Sequence, residues 1–451
     1  MRKSFIAAML ALLAAATLAE AQGIRINGVT TARYIELRPL NTLEKVGLVP
    51  LTQDLNVNVW GLGTGVRLYG EFRGRVSAGE HTELWPQADD PFDVLAAYAE
   101  INRARFRARA GRQWKSSALG FYNFDGASLL VRPSRVISAE LYGGWSLLPG
   151  ESDQMTDAAI AAIEPYAPDE KRNLIGGEIK LRFGPRVSLT TLYQREITTD
   201  RSALHSERIA ADATVRAGRL VLDGGVESDL ANEVINEARA RLYLPLGSQF
   251  STALEARRYR PYFDLWTIWG AFNPIGFSEA LATASWQAPS GNASLRLGGG
   301  LRRYGDDNGG VEWERLRDDG WRVLADASIT PTRLLTLSGA YRADIGFGAS
   351  RSQGDVNAQF NINQGSYLGF NVAAFQMINE LQISDGTVYG FGTNAAFKLP
   401  GETRIGWNFA VYRHDNVKPA TTTDWSQLRG TLFIEWTVGS NPDQPRVARA
   451  Q

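Results

Sequence analysis

The stretch GVRLYGEFRGRVS at residues 65–77 sets Val66, Leu68, Phe72 and Val76 on one parity and Arg67, Tyr69, Glu71, Arg73 and Arg75 on the other. Successive side chains of a β-strand point to opposite faces, so the segment reads as a strand with one oily and one charged face. Helical spacing would mix the two sets. The split recurs at 173–183, where Ile175, Ile179, Leu181 and Phe183 oppose Glu178, Lys180 and Arg182. At 355–362, Val356, Ala358, Phe360 and Ile362 oppose Asp355, Asn357, Gln359 and Asn361. Residues 208–216 set Ile209, Ala211, Ala213 and Val215 against Arg208, Asp212 and Arg216, and residues 237–244 set Ala238, Ala240, Leu242 and Leu244 against Glu237, Arg239 and Arg241.

A soluble sandwich also alternates, but its inner face must be apolar and its outer face charged. Here the polar faces are too rich in arginine and glutamate to form a dry core, and the apolar faces lack the charges that water would demand. The pattern is inside-out, as in a barrel that meets lipid outside and water within. A propeller or open repeat array would need a motif of fixed period, and none is visible.

The N-terminus places this barrel in an exported protein. Arg2 and Lys3 precede an apolar run at 5–18 and the small-residue triplet at 19–21, which reads as a secretory signal peptide cleaved after Ala21. The run is too short for a spanning helix. The expected organisation is a signal peptide at 1–21, one barrel at 22–438 and a polar periplasmic tail at 439–451. The first strand candidate, 23–37, follows the signal peptide directly, which separates the chain from barrels with an N-terminal plug.

Connections alternate in length, as in outer-membrane barrels with short periplasmic turns and longer outer loops. Short ones are read at 132–135, 184–186, 217–218, 245–247, 330–332, 363–365 and 400–402, and long ones at 39–53, 79–91, 115–125, 149–172, 260–274, 305–318 and 415–424. An all-β, transmembrane, antiparallel up-and-down barrel follows, with a best count of 22 strands and 18 to 22 admissible. Residues 54–77 fit one long strand or a tight hairpin, and 232–244 has a weakly marked start. The last strand, 427–438, carries Leu428, Leu432, Ile434, Trp436 and Val438 on one face and Arg429, Thr431 and Glu435 on the other. It reads as the closing strand.

Composition excludes several chemistries. With 45 glycines, 12 tryptophans and no cysteine, the chain suits many turns and interfacial aromatic belts but offers no disulfide, thiolate metal site or cysteine nucleophile. Formal net charge is zero, so neither a strongly basic nor a strongly acidic partner is implied. Its three histidines, His81, His205 and His414, lie at or near loops with no catalytic spacing around them. No Walker loop or nucleic-acid module is present. Acidic clusters at Asp89, Asp90 and Asp93 and at Asp306, Asp307 and Asn308 offer oxygen ligands for calcium, but exposed charge near a lipopolysaccharide surface explains them better. The expectation is no catalytic residue, no metal, no cofactor and no nucleic acid. Glycines in the run 297–301 read as close packing or a bend within a strand.

Forty-one of the 48 basic residues are arginine, a permanently charged fork suited to carboxylate and phosphate, although a GC-rich genome would give the same bias. The densest run is INRARFRARAGRQW at 101–114, where Arg107, Arg109, Gly111 and Gln113 share the lumen parity. Arg112 takes the other parity, which predicts a bulge or a position above the hydrocarbon layer. Candidate pore-lining residues are Glu71, Arg73, Arg75, Arg107, Arg109, Gln113, Glu178, Arg182, Glu237, Arg239 and Arg241, a wall of mixed charge.

Gly111-Arg112-Gln113, a ten-residue connection at 114–123, and Phe124-Asp125-Gly126 resemble a segment of the alginate-export-like and related large outer-membrane porins. The likeness covers about 20 residues besides the general strand pattern. It implies passage of an anionic saccharide or another small acid past an arginine-rich constriction. In the loop at 149–172, residues 157–164 are good helix formers that could fold inward and narrow the pore, or equally form a short helix capping a surface loop. The expected role is an outer-membrane channel for small hydrophilic solutes, with membrane lipid, lipopolysaccharide and the barrel assembly machinery as partners. The competing expectation is an assembly barrel that docks a partner and conducts little.

Overall fold

The computed structural model describes residues 23–37, 44–79, 91–147, 172–199, 204–260, 276–305, 319–346, 349–379, 385–418 and 424–440. Twenty-three strands and no helix occur among them. The first nine are β1 (Gly23–Leu37), β2 (Val46–Leu48), β3 (Pro50–Trp60), β4 (Val66–Ser77), β5 (Phe92–Asn102), β6 (Phe106–Ser117), β7 (Gly120–Val131), β8 (Ile137–Ser146) and β9 (Arg172–Phe183). Then come β10 (Val187–Thr198), β11 (Leu204–Ala217), β12 (Leu220–Asp229), β13 (Val234–Pro245), β14 (Phe250–Tyr259), β15 (Phe277–Gln287) and β16 (Ala293–Tyr304). The chain finishes with β17 (Asp319–Thr332), β18 (Leu335–Gly346), β19 (Ala349–Asn363), β20 (Ser366–Asn379), β21 (Asp385–Leu399), β22 (Thr403–Lys418) and β23 (Trp425–Gly439).

Every pairing is antiparallel between chain neighbours, and β1 pairs with β23 from Arg25 opposite Gly439 to Ile35 opposite Arg429. That last ladder removes the free edges and closes the sheet. Segments β2 and β3 are two parts of one spanning strand, since Ile35 faces Leu48 and Ala32 faces Leu51 in one register. Pro50, which has no N–H to donate, marks the interruption. The barrel therefore has 22 spanning strands, with Gly23 and Gly439 at the end that carries the short turns.

The alternation read from the sequence describes the faces. Ile175, Ile179 and Phe183 on β9 are exposed while Glu178 between them is buried, and Val356, Phe360 and Ile362 on β19 are exposed. On β23, Leu428, Leu432, Ile434 and Val438 form the same outer band. Exposed apolar side chains around a polar interior make a surface solvated by lipid, and a closed barrel satisfies every strand's backbone internally. The chain is an outer-membrane-type β-barrel.

Four sequence expectations need correction. Residues 39–53 were expected as a long loop, but β2 and β3 begin at Val46 and Pro50; the proline hides the strand's continuity. Residues 115–125 were expected as another, yet they form a two-residue turn at 118–119 between β6 and β7. Their serines, lysine and glycine resemble loop chemistry because the strand ends here inside the lumen, away from lipid. The turn expected at 330–332 falls at 333–334, after a register irregularity between Ile329 and Thr332 around Pro331. Residues 415–418, expected to start a loop, still belong to β22. The two open points resolve as a hairpin, with β3 and β4 joined at 61–65, and as a β13 start at Val234 after Glu233 at φ 55. The signal peptide, the 157–164 segment and tail residues 441–451 lie outside the described residues.

Candidate functional site: the lumen wall and its inward hairpin

The quoted motif folds into a hairpin whose two halves are cross-strand partners. Gly111 faces Gly126, Arg112 faces Asp125 and Gln113 faces Phe124. Gly126 in turn faces Gly144 of β8, so three glycines form one row across three strands. Gly111 has φ +124, a region that side chains disfavour, and a Cβ on Gly126 would collide with the Gly143 carbonyl oxygen. The row lets the backbones approach closely where the hairpin leaves the wall. Gly126→Ala should lower the heat-modifiable folded fraction on gels far more than Gly299→Ala, whose added Cβ would meet only the Arg322 carbonyl oxygen, at 3.9 Å. Equal yields would show that the bend tolerates a side chain.

Beyond that row the hairpin tip lies on the inner wall. Leu119, 1% exposed, packs with Tyr122, Phe124, Tyr142 of β8, Leu174 of β9, Leu192 of β10 and Ala210 of β11. This buried apolar cluster lies on the lumen parity, since Leu174 alternates with the outward Ile175, and Leu192 and Ala210 share a register row with the inward Glu178. Arg208 of β11 donates from Nη1 to the Leu119 carbonyl oxygen at 2.8 Å and to the Tyr122 hydroxyl at 2.5 Å, while its Nη2 pairs with Glu227. Tyr142 donates to Gln194 Oε1 at 3.1 Å. The tip is thus latched across β8 to β11 by both apolar burial and a charged side chain.

Arg112 and Asp125 lie on the outward parity, where a lone arginine would be costly. They neutralise one another through two hydrogen bonds of 2.7 and 2.9 Å, and Arg112 also donates to the Val94 carbonyl at 3.0 Å. Asn123 donates to the Leu95 carbonyl at 3.2 Å. Pairing of β5 with β6 stops at Ala97 opposite Arg112, so these side chains satisfy β5 carbonyls that the departing hairpin leaves behind. The bulge expected at Arg112 is absent from the β6–β7 ladder; the strand diverges from β5 instead.

The candidate pore-lining residues divide into local networks. In the sector of β3 to β9, Arg73 pairs with Asp54 at 2.5 Å, Arg75 pairs with Asp93, and Tyr69 donates to Glu71 at 3.2 Å. Arg109 and Arg67 hold buried Glu100 at 2.6 and 2.7 Å, and Arg107 reaches Glu140 at 3.3 Å. Lys115 bridges Glu140 at 2.6 Å and Glu178 at 3.1 Å. Gln113 is buried and tied to the hairpin, donating to Gly126 and accepting from Ser128 at 2.7 Å. In the sector of β11 to β14, Arg239 pairs with Asp212, Glu237 with Arg257 at 2.9 Å, and Arg241 with Glu255 at 3.1 Å. Arg107 and Arg109 form a ladder compensated by carboxylates on neighbouring strands, and the two sectors remain separate groups.

Sequence reading missed two features. Glu279, Arg302, Arg322 and Asp344 make a third network on β15 to β18, with Arg302–Glu279 at 2.5 Å, Arg322–Glu279 at 3.0 Å and Arg322–Asp344 at 2.6 Å. Its signal was available, one charge on the polar parity of each successive strand. Next to it the wall turns to neutral amides, with Asn357 opposite Asn371 and Asn394 opposite Asn408. The second is the Arg208 latch, which no local pattern announces. Among the described residues no group of histidine or carboxylate side chains has metal-binding geometry.

No family model matches the chain, and no curated protein matches it. Among solved structures, the chain is similar to a BenF-like porin from Pseudomonas fluorescens Pf-5, at 11% identity over 93% of this chain and 99% of that one, with a TM-score of 0.47. It is also similar to Pseudomonas aeruginosa OccK2 in complex with glucuronate, at 11% identity over 93% and 96% of the two chains and a TM-score of 0.44. A third likeness, to the P pilus usher PapC translocation pore, has 11% identity over 92% and 99% and a TM-score of 0.43. At such identities and scores these likenesses carry no argument, and the architecture stated above rests on this chain's own strand pairing and exposed faces.

Proposed function

We propose that the chain is a channel of a Gram-negative outer membrane for small hydrophilic solutes, with a modest preference for anions such as acidic saccharides or organic acids. The observation that carries this reading is the polar interior of a closed 22-strand barrel narrowed by an inward hairpin. A circumference of this size encloses more space than its own inward side chains fill. A hairpin fixed against one side narrows that space, and charged groups along the wall replace part of a solute's hydration. The arginine-rich networks supply guanidinium forks, and their carboxylate partners temper the field, so strict exclusion of cations is not expected.

Planar-bilayer recording of the refolded barrel tests the reading directly. Wild-type protein should conduct, and in a salt gradient its reversal potential should show weak anion preference. Replacing Arg107 and Arg109 together with glutamine leaves Glu140 with Lys115 and Glu100 with Arg67, so the reversal potential should move toward cations. Unchanged selectivity in an intact barrel would reduce these arginines to structural counterions. A silent membrane with well-folded protein would favour the assembly-barrel role.

A further inference from the structure

We infer that the short-turn end of the lumen carries a binding site for a small soluble oxyanion of two or more negative charges. The site is a cavity of about 810 Å³ bounded by the β5–β6 turn, the β7–β8 turn and the end of β9. Its role in transport rests on the channel reading above; its existence does not. A volume in the range of ordinary small-molecule sites accommodates a solute such as a tricarboxylate.

Charge defines what the cavity accepts. Six cationic side chains line it, Arg105, Arg107, Arg132, Arg135, Lys180 and Arg182, against two carboxylates, Glu140 and Glu178. Both carboxylates are already engaged, Glu140 by Lys115 and Arg107, and Glu178 by Lys115 and by Lys180 at 2.5 Å. Arg105, Arg132, Arg135 and Arg182 have no carboxylate partner among the described residues. The arginines of the three networks described above meet acids on neighbouring strands, whereas four of these do not, so this end of the lumen holds a local surplus of fixed positive charge. Like charges gathered in one concavity repel until an anion enters, and guanidinium forks match carboxylate and phosphate oxygens geometrically.

The backbone that carries these arginines is already tied together. Arg132 N donates to the Arg105 carbonyl at 2.7 Å, joining the two turns, and Arg182 N donates to the Val136 carbonyl at 2.8 Å, joining the second turn to β9. Ser134 Oγ accepts from Val136 N at 3.2 Å and Ile137 N at 3.1 Å, fixing the turn that follows Pro133. Arg132 Nη1 donates to the Arg103 carbonyl at 3.3 Å. Binding needs only side-chain ordering on a preformed frame, which limits its entropic cost.

The test is calorimetric titration of the full barrel in non-ionic detergent with citrate, with acetate as the monovalent comparison. Citrate should bind saturably at low ionic strength, and acetate should not saturate over the same range. Arg132→Gln with Arg135→Gln should weaken citrate binding by about tenfold or more, through the loss of two charge-assisted contacts. Arg296→Gln, in the distant β16 pair with Asp326, should bind citrate as wild type does. Equal citrate affinity in the double variant, or no saturable binding by heat-modifiable wild-type protein, would overturn the site. Displacement of citrate by phosphatidylglycerol-containing nanodiscs, but not by inorganic phosphate, would overturn the soluble ligand in favour of a lipid headgroup. Saturable citrate binding by a barrel that does not conduct would retain the site and remove the channel reading.

Discussion

Leu119→Ala combined with Arg208→Ala should raise the single-channel conductance of the reconstituted barrel severalfold and make it noisier, while the protein remains heat-modifiable on gels. Leu119 is the apolar anchor of the hairpin tip, and truncating a buried leucine costs roughly 2–5 kcal/mol when neighbours cannot fill the space. Arg208 supplies the hydrogen bonds to the Leu119 carbonyl and the Tyr122 hydroxyl. The double change removes the tip's apolar anchor and its hydrogen bonds from β11, and leaves the Lys115 pairs with Glu140 and Glu178 and the packing of Tyr122 and Phe124 to hold the hairpin to the wall. The barrel's own ladders do not depend on either side chain, so assembly should survive. Because the chain contains no cysteine, Ala118→Cys adds a single reporter at the tip. It should react with a water-soluble thiol reagent faster in the double-variant background. Conductance and labelling rates unchanged from wild type would mean that the hairpin is neither the constriction nor held by this latch.

The second large effect concerns the outer face. Val356→Arg should abolish most folded barrel, whereas Asn357→Arg, one residue along, should assemble near wild-type yield. Val356 is 63% exposed near the middle of β19, opposite Gly339 and Val372 on its neighbours. An arginine facing lipid at the midplane costs roughly 2–4 kcal/mol and has no acidic neighbour here to offset it. Asn357 lies on the inner parity, donates to Asp355 at 2.9 Å and sits opposite Asn371, so a cation there meets water and a carboxylate. The measure is the heat-modifiable fraction after refolding into lipid vesicles. Equal yields would reverse the assignment of faces on this strand.

Strand parity was legible because it is a local property: the side chain two residues on faces the same way whatever the rest of the chain does. That suffices to identify oily and charged faces at 65–77, 173–183 and 355–362 and the closing strand at 427–438, and to bound the count at 18 to 22 strands with 22 the best tally. Proline and glycine blurred only local limits, at Pro50, at Pro331 and in the 115–125 segment, whose polar composition reads as loop because its strands project into water. The residues of Gly111-Arg112-Gln113 and Phe124-Asp125-Gly126 face each other across a hairpin and do not flank a long connection, a pairing that spacing along the chain does not reveal.

From the sequence alone, then, come the closed barrel, its lipid face and an arginine-rich interior, all consequences of period-two patterning. Which arginines are neutralised, and which remain in surplus at the short-turn end, was decided by cross-strand register, which sets the acid that each guanidinium meets. The inward fold of the β6–β7 hairpin was decided later still, by contacts such as that of Arg208 with the Leu119 carbonyl, 89 residues apart in the chain. No local pattern encodes such a contact. It exists only once the barrel has brought β6 and β11 onto the same stretch of inner wall.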